Sequence, residues 1–157
     1  MTFKATEDVQ LIKSVVTIPQ IYRALRDERP MLEWEPVFAP GLVGYVSIMD
    51  KDEFLGLVIV KAHNHIQWEA INLMLPKVGW KRRVRAAHEF FAWVSSCGCR
   101  RLISKVSVSN RYAIKFNEIV GMVPFALNPD CFLEDGQMQS EVWFGVSFGG
   151  ANAIRSN

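Results

Sequence analysis

The residues best suited to carry chemistry form a basic turn in the middle of the chain. Lys81, Arg82, Arg83 and Arg85 follow Gly79 and stand at the start of a helical pattern. Cations oppose the macrodipole at a helix N-terminus, at a cost of about 0.3–1 kcal/mol each, so a bound anion would offset this cost. The unpaired N–H groups of a helix start also bind phosphates. The turn therefore predicts an anion site, with a diphosphate as the favoured ligand and nucleic acid or a merely solvated helix start as alternatives.

Two strands and two helices must hold this turn in place. The run from Ile66 to Leu75 predicts a strand before the turn, and an apolar stripe predicts an amphipathic helix after it, ending near Gly98. Leu102 to Val108 predicts a second strand. Arg111 to Val120 predicts a second helix, with Asn110 as its N-cap. Together these elements form a βαβα unit that presents the N-terminus of its first helix to a ligand.

The remaining segments complete an α/β domain. The predicted elements outside the unit are two helical pieces within Leu11 to Asp27, a hairpin of Gly41 to Met49 with Glu53 to Lys61, a short strand near Val123 to Leu127 in a loop-rich region, and a last strand over Glu141 to Phe148. Short turns join the three central strands into an antiparallel meander. We therefore predict one α/β domain over residues 1–148, with a mixed, mostly antiparallel sheet and flanking helices, and a polar tail over residues 149–157.

Composition limits the class of protein. Half of the 157 residues are hydrophobic, 22% are charged and the formal net charge is +2, which supports one packed domain and does not indicate a nucleic-acid or membrane-surface protein. No apolar run approaches the roughly 18 residues of a membrane span, and the first residues lack a signal-peptide pattern. Three cysteines do not predict a disulfide framework. We expect a cytoplasmic protein that has no membrane partner.

The second helix of the unit carries a motif that resembles the GCN5-related N-acetyltransferase (GNAT) superfamily. Members commonly have Asn, two variable residues and Ala-Ile, followed by a stretch that ends in Tyr-Glu-Lys-Leu-Gly-Phe. Six positions of this chain fall in register with that pattern: Asn110, Ala113, Ile114, Glu118, Gly121 and the apolar Met122. The preceding strand and helix resemble the family's acetyl-CoA-binding core, so the resemblance spans roughly Leu11 to Phe148.

The resemblance implies a fold feature, a cofactor and a reaction. The strands Ile66 to Leu75 and Leu102 to Val108 would run parallel and separate at their C-terminal ends, where the backbone from Asn72 to Leu75 would pair with the pantetheine arm of acetyl-CoA. The cofactor-binding residues that it implies are Asn72, Leu73, Met74, Leu75, Gly79, Lys81, Arg82, Arg83, Val84, Arg85 and Asn110. The implied reaction is direct transfer of an acyl group from acyl-CoA to an unknown amine acceptor.

Two features depart from the family pattern. Arg83 and Arg85 stand where the family's pyrophosphate loop has glycines, which let the backbone approach phosphates closely. Either the turn shifts to use Gly79, or the basic side chains contact the phosphates themselves. Asn117 stands where many members have the tyrosine that protonates the departing thiolate. Because an amide donates a hydrogen bond but no proton, we expect Asn117 to contribute at most a hydrogen bond to catalysis.

Glu69 lies in the central strand, where the family often places a general base. A base with a pKa near 7 would take the proton of the acceptor amine, either directly or through one water. The alternative is an ordinary ion pair between Glu69 and a Lys or Arg on the same sheet face. His63 and His65 are further candidates for the base, and because neither has additional ligands at suitable spacing, we predict no metal site.

The resemblance also leaves a non-catalytic alternative. The segments Leu11 to Ile21 and Leu75-Pro76 look most like phage-encoded members, among them the head assembly proteins of P22-like phages. The partners would then be virion or assembly proteins in the host cytoplasm. The apolar segment Val142 to Val146 would form a sheet edge that supports self-association, for example as a homodimer. The missing loop glycines and the missing tyrosine both favour this alternative.

Overall fold

One sheet of seven strands organises the residues that the computed structural model describes, which are 1–25, 29–134 and 136–149. The strands are β1 (Thr2–Thr6), β2 (Val43–Asp50), β3 (Glu53–Ala62), β4 (Gln67–Met74), β5 (Arg101–Ser107), β6 (Val123–Glu134) and β7 (Gln137–Ser147). The helices are α1 (Val9–Val16), α2 (Pro19–Leu25), α3 (Trp80–Ser96) and α4 (Arg111–Ile119), and a short 3-10 turn covers Met31–Glu33. Across the sheet the strands follow the order β1-β2-β3-β4-β5-β7-β6.

The helix boundaries follow from local capping chemistry. The Asp8 carboxylate accepts a hydrogen bond from the Leu11 N–H at 2.9 Å and so begins α1. Asn110 begins α4 in the same way, because its Oδ1 atom accepts from the Ala113 N–H at 3.0 Å. The predicted division of the first helical segment at Pro19 is confirmed, since α2 begins there.

Helices cover both faces of the sheet. Ile12 of α1 is fully buried against Leu57 and Leu73 on one face, while Phe90 of α3 is buried against Met74 on the other. Alternate residues of each strand point to opposite faces, so neighbouring positions such as Leu73 and Met74 enter different cores. The predicted single α/β domain with a mixed, mostly antiparallel sheet is confirmed. Of the predicted tail, residues 150–157 lie outside the described part of the chain.

The parallel strands β4 and β5 separate along their length. They pair at Gln67–Arg101, Trp68–Leu102 and Glu69–Ile103, and no pair between them follows among the described residues. Beyond that point β4 stays paired with β3 as far as Met74, and β5 stays paired with β7 as far as Ser107. The resulting V-shaped opening is the one that the resemblance implied.

Three features of the sheet differ from the prediction. The sequence pattern did not reveal β1, a short strand that pairs with β2 and is fixed by long-range contacts such as Phe3 with Phe90. The region expected to be rich in loops is the 12-residue strand β6. It lies at the end of the sheet, and its register shifts beside Pro124 and between Asn128 and Phe132, which is how an edge strand accommodates proline.

The third difference concerns the strand expected to support self-association. The segment Val142 to Val146 belongs to β7, which lies between β5 and β6 and therefore presents no open edge. The expectation that this segment forms a sheet edge is wrong. The apolar pattern of this segment predicts a strand, but it does not distinguish a central strand from an edge strand.

Candidate functional site

A cleft of about 700 Å³ opens where β4 and β5 separate. Its walls are formed by the C-terminal halves of both strands, by the first turns of α4 and by α2. Leu73 and Met74 of β4 both line it, as do Ser104 and Lys105 of β5. Because consecutive strand residues face opposite sides of the sheet, the cleft passes through the sheet from one face to the other.

The structure brings some of the predicted site residues together and leaves others apart. Six of them line the cleft: Asn72, Leu73, Met74, Arg83, Asn110 and Asn117. The other predicted residues lie outside its walls: Glu69, Leu75, Gly79, Lys81, Arg82, Val84 and Arg85. Val84 packs into the core formed by α3, α4 and β7, and Lys81 is exposed.

The backbone of Leu75 is already paired, which corrects one part of the prediction. Its N–H donates to the Leu55 carbonyl at 2.9 Å, and its carbonyl accepts from the Val78 N–H at 3.0 Å. The unpaired edge of β4 therefore covers residues up to Met74 and does not extend to Leu75. The Leu75 N–H thus pairs with β3, and the turn at Pro76 directs the Leu75 carbonyl into the loop before α3.

Arg83 braces the loop between β4 and α3. Its Nε atom donates to the Val78 carbonyl at 2.7 Å, and its Nη2 atom donates to the Leu75 carbonyl at 2.8 Å. The planar guanidinium donates to the two carbonyls from two nitrogen atoms held in a fixed geometry, which the single ammonium of a lysine does not provide. Arg83 thus fixes the start of α3 against the end of β4 and also reaches the cleft wall.

Arg82 and Arg85 are engaged with carboxylates on the hairpin and on α3. Arg82 lies 3.1 Å from Asp50 and 2.9 Å from Glu53, and Arg85 lies 2.7 Å from Glu89. These hydrogen-bonded carboxylates raise the pKa of both guanidinium groups. The cost of placing cations at the start of α3 is therefore offset by acidic neighbours of the chain itself.

Trp80, the first residue of α3, connects this helix to α4. Its ring centre lies 5.2 Å from that of Tyr112 and 5.6 Å from that of Phe116, and both pairs are nearly perpendicular. Edge-to-face pairs of this kind stabilise packing. Since Tyr112 and Phe116 both line the cleft, Trp80 holds one cleft wall in position relative to the helix start.

Glu69 is buried in an ion-pair cluster at the narrow end of the cleft. Its Oε2 atom lies 2.9 Å from Lys105 Nζ and 3.1 Å from His63 Nε2, and its Oε1 atom lies 3.8 Å from Lys61 Nζ. Burial raises the pKa of the carboxyl, but the hydrogen bond from Lys105 and the charge of Lys61 outweigh it, so the pKa lies below its ordinary value. These contacts match the predicted ion-pair alternative, and a lowered pKa is the opposite of what a general base needs.

Asn117 forms a polar pair with a residue that the sequence did not single out. Its side chain is buried, at 6% exposure, and its Nδ2 atom donates to Ser104 Oγ at 3.2 Å. Both residues line the cleft. Sequence carried no signal for this pair, because a serine in a strand and an asparagine in a helix thirteen residues later have no characteristic spacing.

Within residues 1–25, 29–134 and 136–149, no group of three or more His, Cys, Asp or Glu side chains is arranged to hold a metal ion. In that same part of the chain, no helix combines the length and apolar character needed to cross a membrane.

Comparisons with known proteins extend the description of the fold. No protein-family model and no curated protein matches this chain. Among solved structures, spermidine N-acetyltransferase from Vibrio cholerae, in complex with CoA and spermine, superposes with a TM-score of 0.71 at 17% identity over 93% of this chain and 94% of the other. YncA from Salmonella typhimurium, with its cofactor acetyl-CoA, gives a TM-score of 0.72 at 11% identity over 100% of this chain and 99% of the other.

A third structure, named for phosphinothricin N-acetyltransferase, gives a TM-score of 0.74 at 15% identity and covers 95% of this chain and 99% of its own. Identities this low show a shared fold and no more. The comparisons give no support to a phage-encoded type or to a role in head assembly. The chain thus shares the GNAT fold with these structures.

Proposed function

We propose that this protein binds an acyl-CoA in the cleft and transfers the acyl group to an amine. The observation that carries the proposal is the separation of two adjacent parallel strands after the pair Glu69–Ile103. This separation leaves one edge of β4 without a strand partner beside a cleft of about 700 Å³ that crosses the sheet. Two of the similar structures contain CoA or acetyl-CoA, which supports the choice of ligand.

Two backbone features suit an extended thioester with a diphosphate. The free edge of β4, from Asn72 to Met74, offers N–H and C=O groups to a pantetheine arm in the manner of an added strand. The first hydrogen bond within α3 runs from the Arg83 N–H to the Gly79 carbonyl, so the N–H groups before it have no partner in the helix. We expect the diphosphate to bind these N–H groups. The space beside Gly79 is open to it, because a Cβ added there would meet no atom within 4 Å.

The cleft wall on the α1–α2 side supports a class of acceptor. Arg23 of α2 and Lys105 of β5 line it, and Glu134, held by a 3.0 Å hydrogen bond from Ser109, is the acidic side chain among its lining residues. Because Lys105 is already paired with Glu69, Arg23 and Glu134 remain as one cation and one carboxylate, which suits an acceptor that carries an anionic group beside its amine, such as an amino acid, better than a polycation. A panel of amino acids and polyamines tests this preference by initial rates.

The reaction needs little covalent chemistry from the protein. Bound acetyl-CoA would supply an activated thioester carbonyl, and backbone N–H groups of β4 would polarise it. The amine must reach the carbonyl uncharged, and its proton passes to water. In this proposal Glu69 is a structural carboxylate, because its partners are cationic. It holds Lys105 at the narrow end of the cleft.

Binding of acetyl-CoA is the first test. Calorimetry should give a dissociation constant in the micromolar range, and acetyl-CoA at a thousandfold excess over that constant should stabilise the fold by about 4 kcal/mol in thermal unfolding. The absence of any shift at millimolar acetyl-CoA contradicts the proposal. A stable oligomer in light scattering, together with the absence of CoA binding, supports the assembly alternative instead.

A further inference from the structure

Ser104 occupies a special position in the opened sheet. It is the first residue of β5 beyond the last β4–β5 pair, Glu69–Ile103, and its side chain lies on the α3–α4 face together with Asn117. The family pattern places the missing tyrosine at Asn117, and the structure shows that the amide of Asn117 donates to the Ser104 oxygen at 3.2 Å. A hydroxyl therefore stands beside the position where the tyrosine is absent.

The hydrogen bond from Asn117 directs the Ser104 hydroxyl. A serine oxygen accepts with its lone pairs and donates with its single hydrogen. Because the amide occupies a lone pair, the hydroxyl hydrogen remains available for an acceptor in the cleft. Ser104 also borders a second, small cavity of about 40 Å³ lined mostly by apolar residues, including Ala70, Met74 and Phe116. A hydrogen bond to an anion is stronger in such surroundings than in water.

We infer that Ser104, oriented by Asn117, donates a hydrogen bond to the sulfur of CoA as the thiolate leaves. This inference rests on the proposed acyl transfer. In that step the amine nitrogen bonds to the acyl carbon, the carbon–sulfur bond breaks, and sulfur keeps the electron pair. The amine loses its proton to water, and the thiolate leaves as an anion that the Ser104 hydroxyl stabilises. Ser104 is thus a catalytic residue and Asn117 a positioning residue.

The decisive test measures the pKa of the CoA thiol when CoA itself is bound, and it needs no acceptor. The thiolate absorbs in the ultraviolet, so a pH titration of the complex gives this value after subtraction of a titration of the protein alone, whose free Cys97, Cys99 and Cys131 absorb in the same region. We expect the wild-type protein to lower the pKa of the bound thiol below that of free CoA. Ser104→Ala should raise it by about one to two pH units relative to wild type, the size expected for one hydrogen bond to a charged group.

Further variants separate positioning from structure. Ser104→Thr keeps the hydroxyl and should retain most of the effect, whereas Asn117→Ala should raise the thiol pKa in the wild-type background and leave it unchanged in the Ser104→Ala background. Ser47→Ala is a matched control. Ser47 is a buried serine of β2, two strands away from β4, and its hydroxyl donates to the Lys4 carbonyl at 3.0 Å. It should leave the thiol pKa unchanged.

Each outcome decides between the two proposals. Wild-type protein that binds no CoA overturns the proposed function. Protein that binds CoA normally, with the same thiol pKa in wild type and Ser104→Ala, overturns the role of Ser104 and leaves the proposed function standing. If acetyl transfer is found, Ser104→Ala should lower kcat about tenfold or more without a matching change in the dissociation constant of acetyl-CoA.

Discussion

The Nζ atom of Lys105 lies 2.9 Å from the Oε2 atom of Glu69 and 4.5 Å from the centre of the Trp143 ring. These contacts join β4, β5 and β7 at the level where β4 and β5 begin to separate. The Lys105 ammonium is attracted both by the face of the indole ring and by the buried carboxylate, and both contacts stabilise its position. The arrangement therefore stabilises the sheet at the point where it gives up a ladder of backbone hydrogen bonds.

Glu69→Gln should destabilise the fold in a pH-dependent way. Glu69 is 5% exposed and the variant loses its ion pairs with Lys105 and Lys61, so we expect a loss of about 1–3 kcal/mol at neutral pH. Its pKa lies below the ordinary value of 4.5, so its contribution to stability is full above that value and is lost as the pH falls through the lowered pKa. Urea unfolding of both proteins from pH 7 to pH 3 measures this, and the difference between them should shrink below about pH 4.5.

The same variant separates the two roles considered for Glu69. A structural carboxylate predicts that Glu69→Gln changes stability while the pH dependence of kcat above pH 6 stays the same. A general base predicts loss of a basic group from that profile. A profile that loses its ascending limb in Glu69→Gln would contradict the structural assignment.

Gly56→Ala should damage both the sheet and the cleft. Gly56 has φ +145°, and an added Cβ would lie 2.4 Å from the Leu73 carbonyl oxygen and 2.7 Å from Met74 Cα. β3 must move away from β4 at the residues that line the cleft, so we expect a loss of roughly 2–4 kcal/mol and weaker acetyl-CoA binding. Gly44→Ala is the control, because no heavy atom lies within 4 Å of its added Cβ. Equal melting temperatures for Gly56→Ala and Gly44→Ala would show that the close approach of Gly56 to β4 does not limit the stability of the fold.

Arg83 and Arg85 should differ in their effect on acetyl-CoA binding. Arg83→Lys replaces two donor atoms in a fixed geometry, which bind the carbonyls of Leu75 and Val78, with one flexible ammonium, so the start of α3 should loosen and the dissociation constant should rise about tenfold. Arg85→Ala removes a side chain paired with Glu89 outside the cleft walls, and we expect a change within about twofold. Calorimetry on both variants provides the measurement. An equal loss in Arg85→Ala would show that Arg85 leaves Glu89 to contact the diphosphate.

Local chemistry made much of this fold predictable. The cap at Asn110, the division at Pro19 and the hairpin around Asp50 follow from residue types at short spacing, and the opened parallel pair follows from the family resemblance. Long-range pairing was not predictable. The hydrogen bond from Asn117 to Ser104 and the salt bridge from Arg82 to Glu53 depend on how distant elements meet, and no sequence spacing encodes them.

Strand β6 shows the same limit in another form. Its two prolines and its polar residues favour loops when considered locally. They are tolerated because the outer edge of β6 needs no N–H donors, a fact set by the position of the strand in the sheet. The candidate site was predictable in part: the basic start of α3 followed from the residue pattern and the open edge of β4 from the family resemblance, whereas the side-chain pairs around the cleft followed from neither.

Trp80→Ala should uncouple α3 from α4. The indole makes nearly perpendicular contacts with Tyr112 and Phe116, at 5.2 Å and 5.6 Å between ring centres, and such pairs contribute about 0.5–1.5 kcal/mol each beyond burial. We therefore expect a stability loss of about 1–3 kcal/mol and weaker acetyl-CoA binding, whereas Trp80→Phe should retain most of both. Urea unfolding of Trp80→Ala, Tyr112→Ala and the double variant should give a coupling energy of about 0.5–1.5 kcal/mol. Additive losses would mean that Trp80 does not hold the cleft wall through Tyr112.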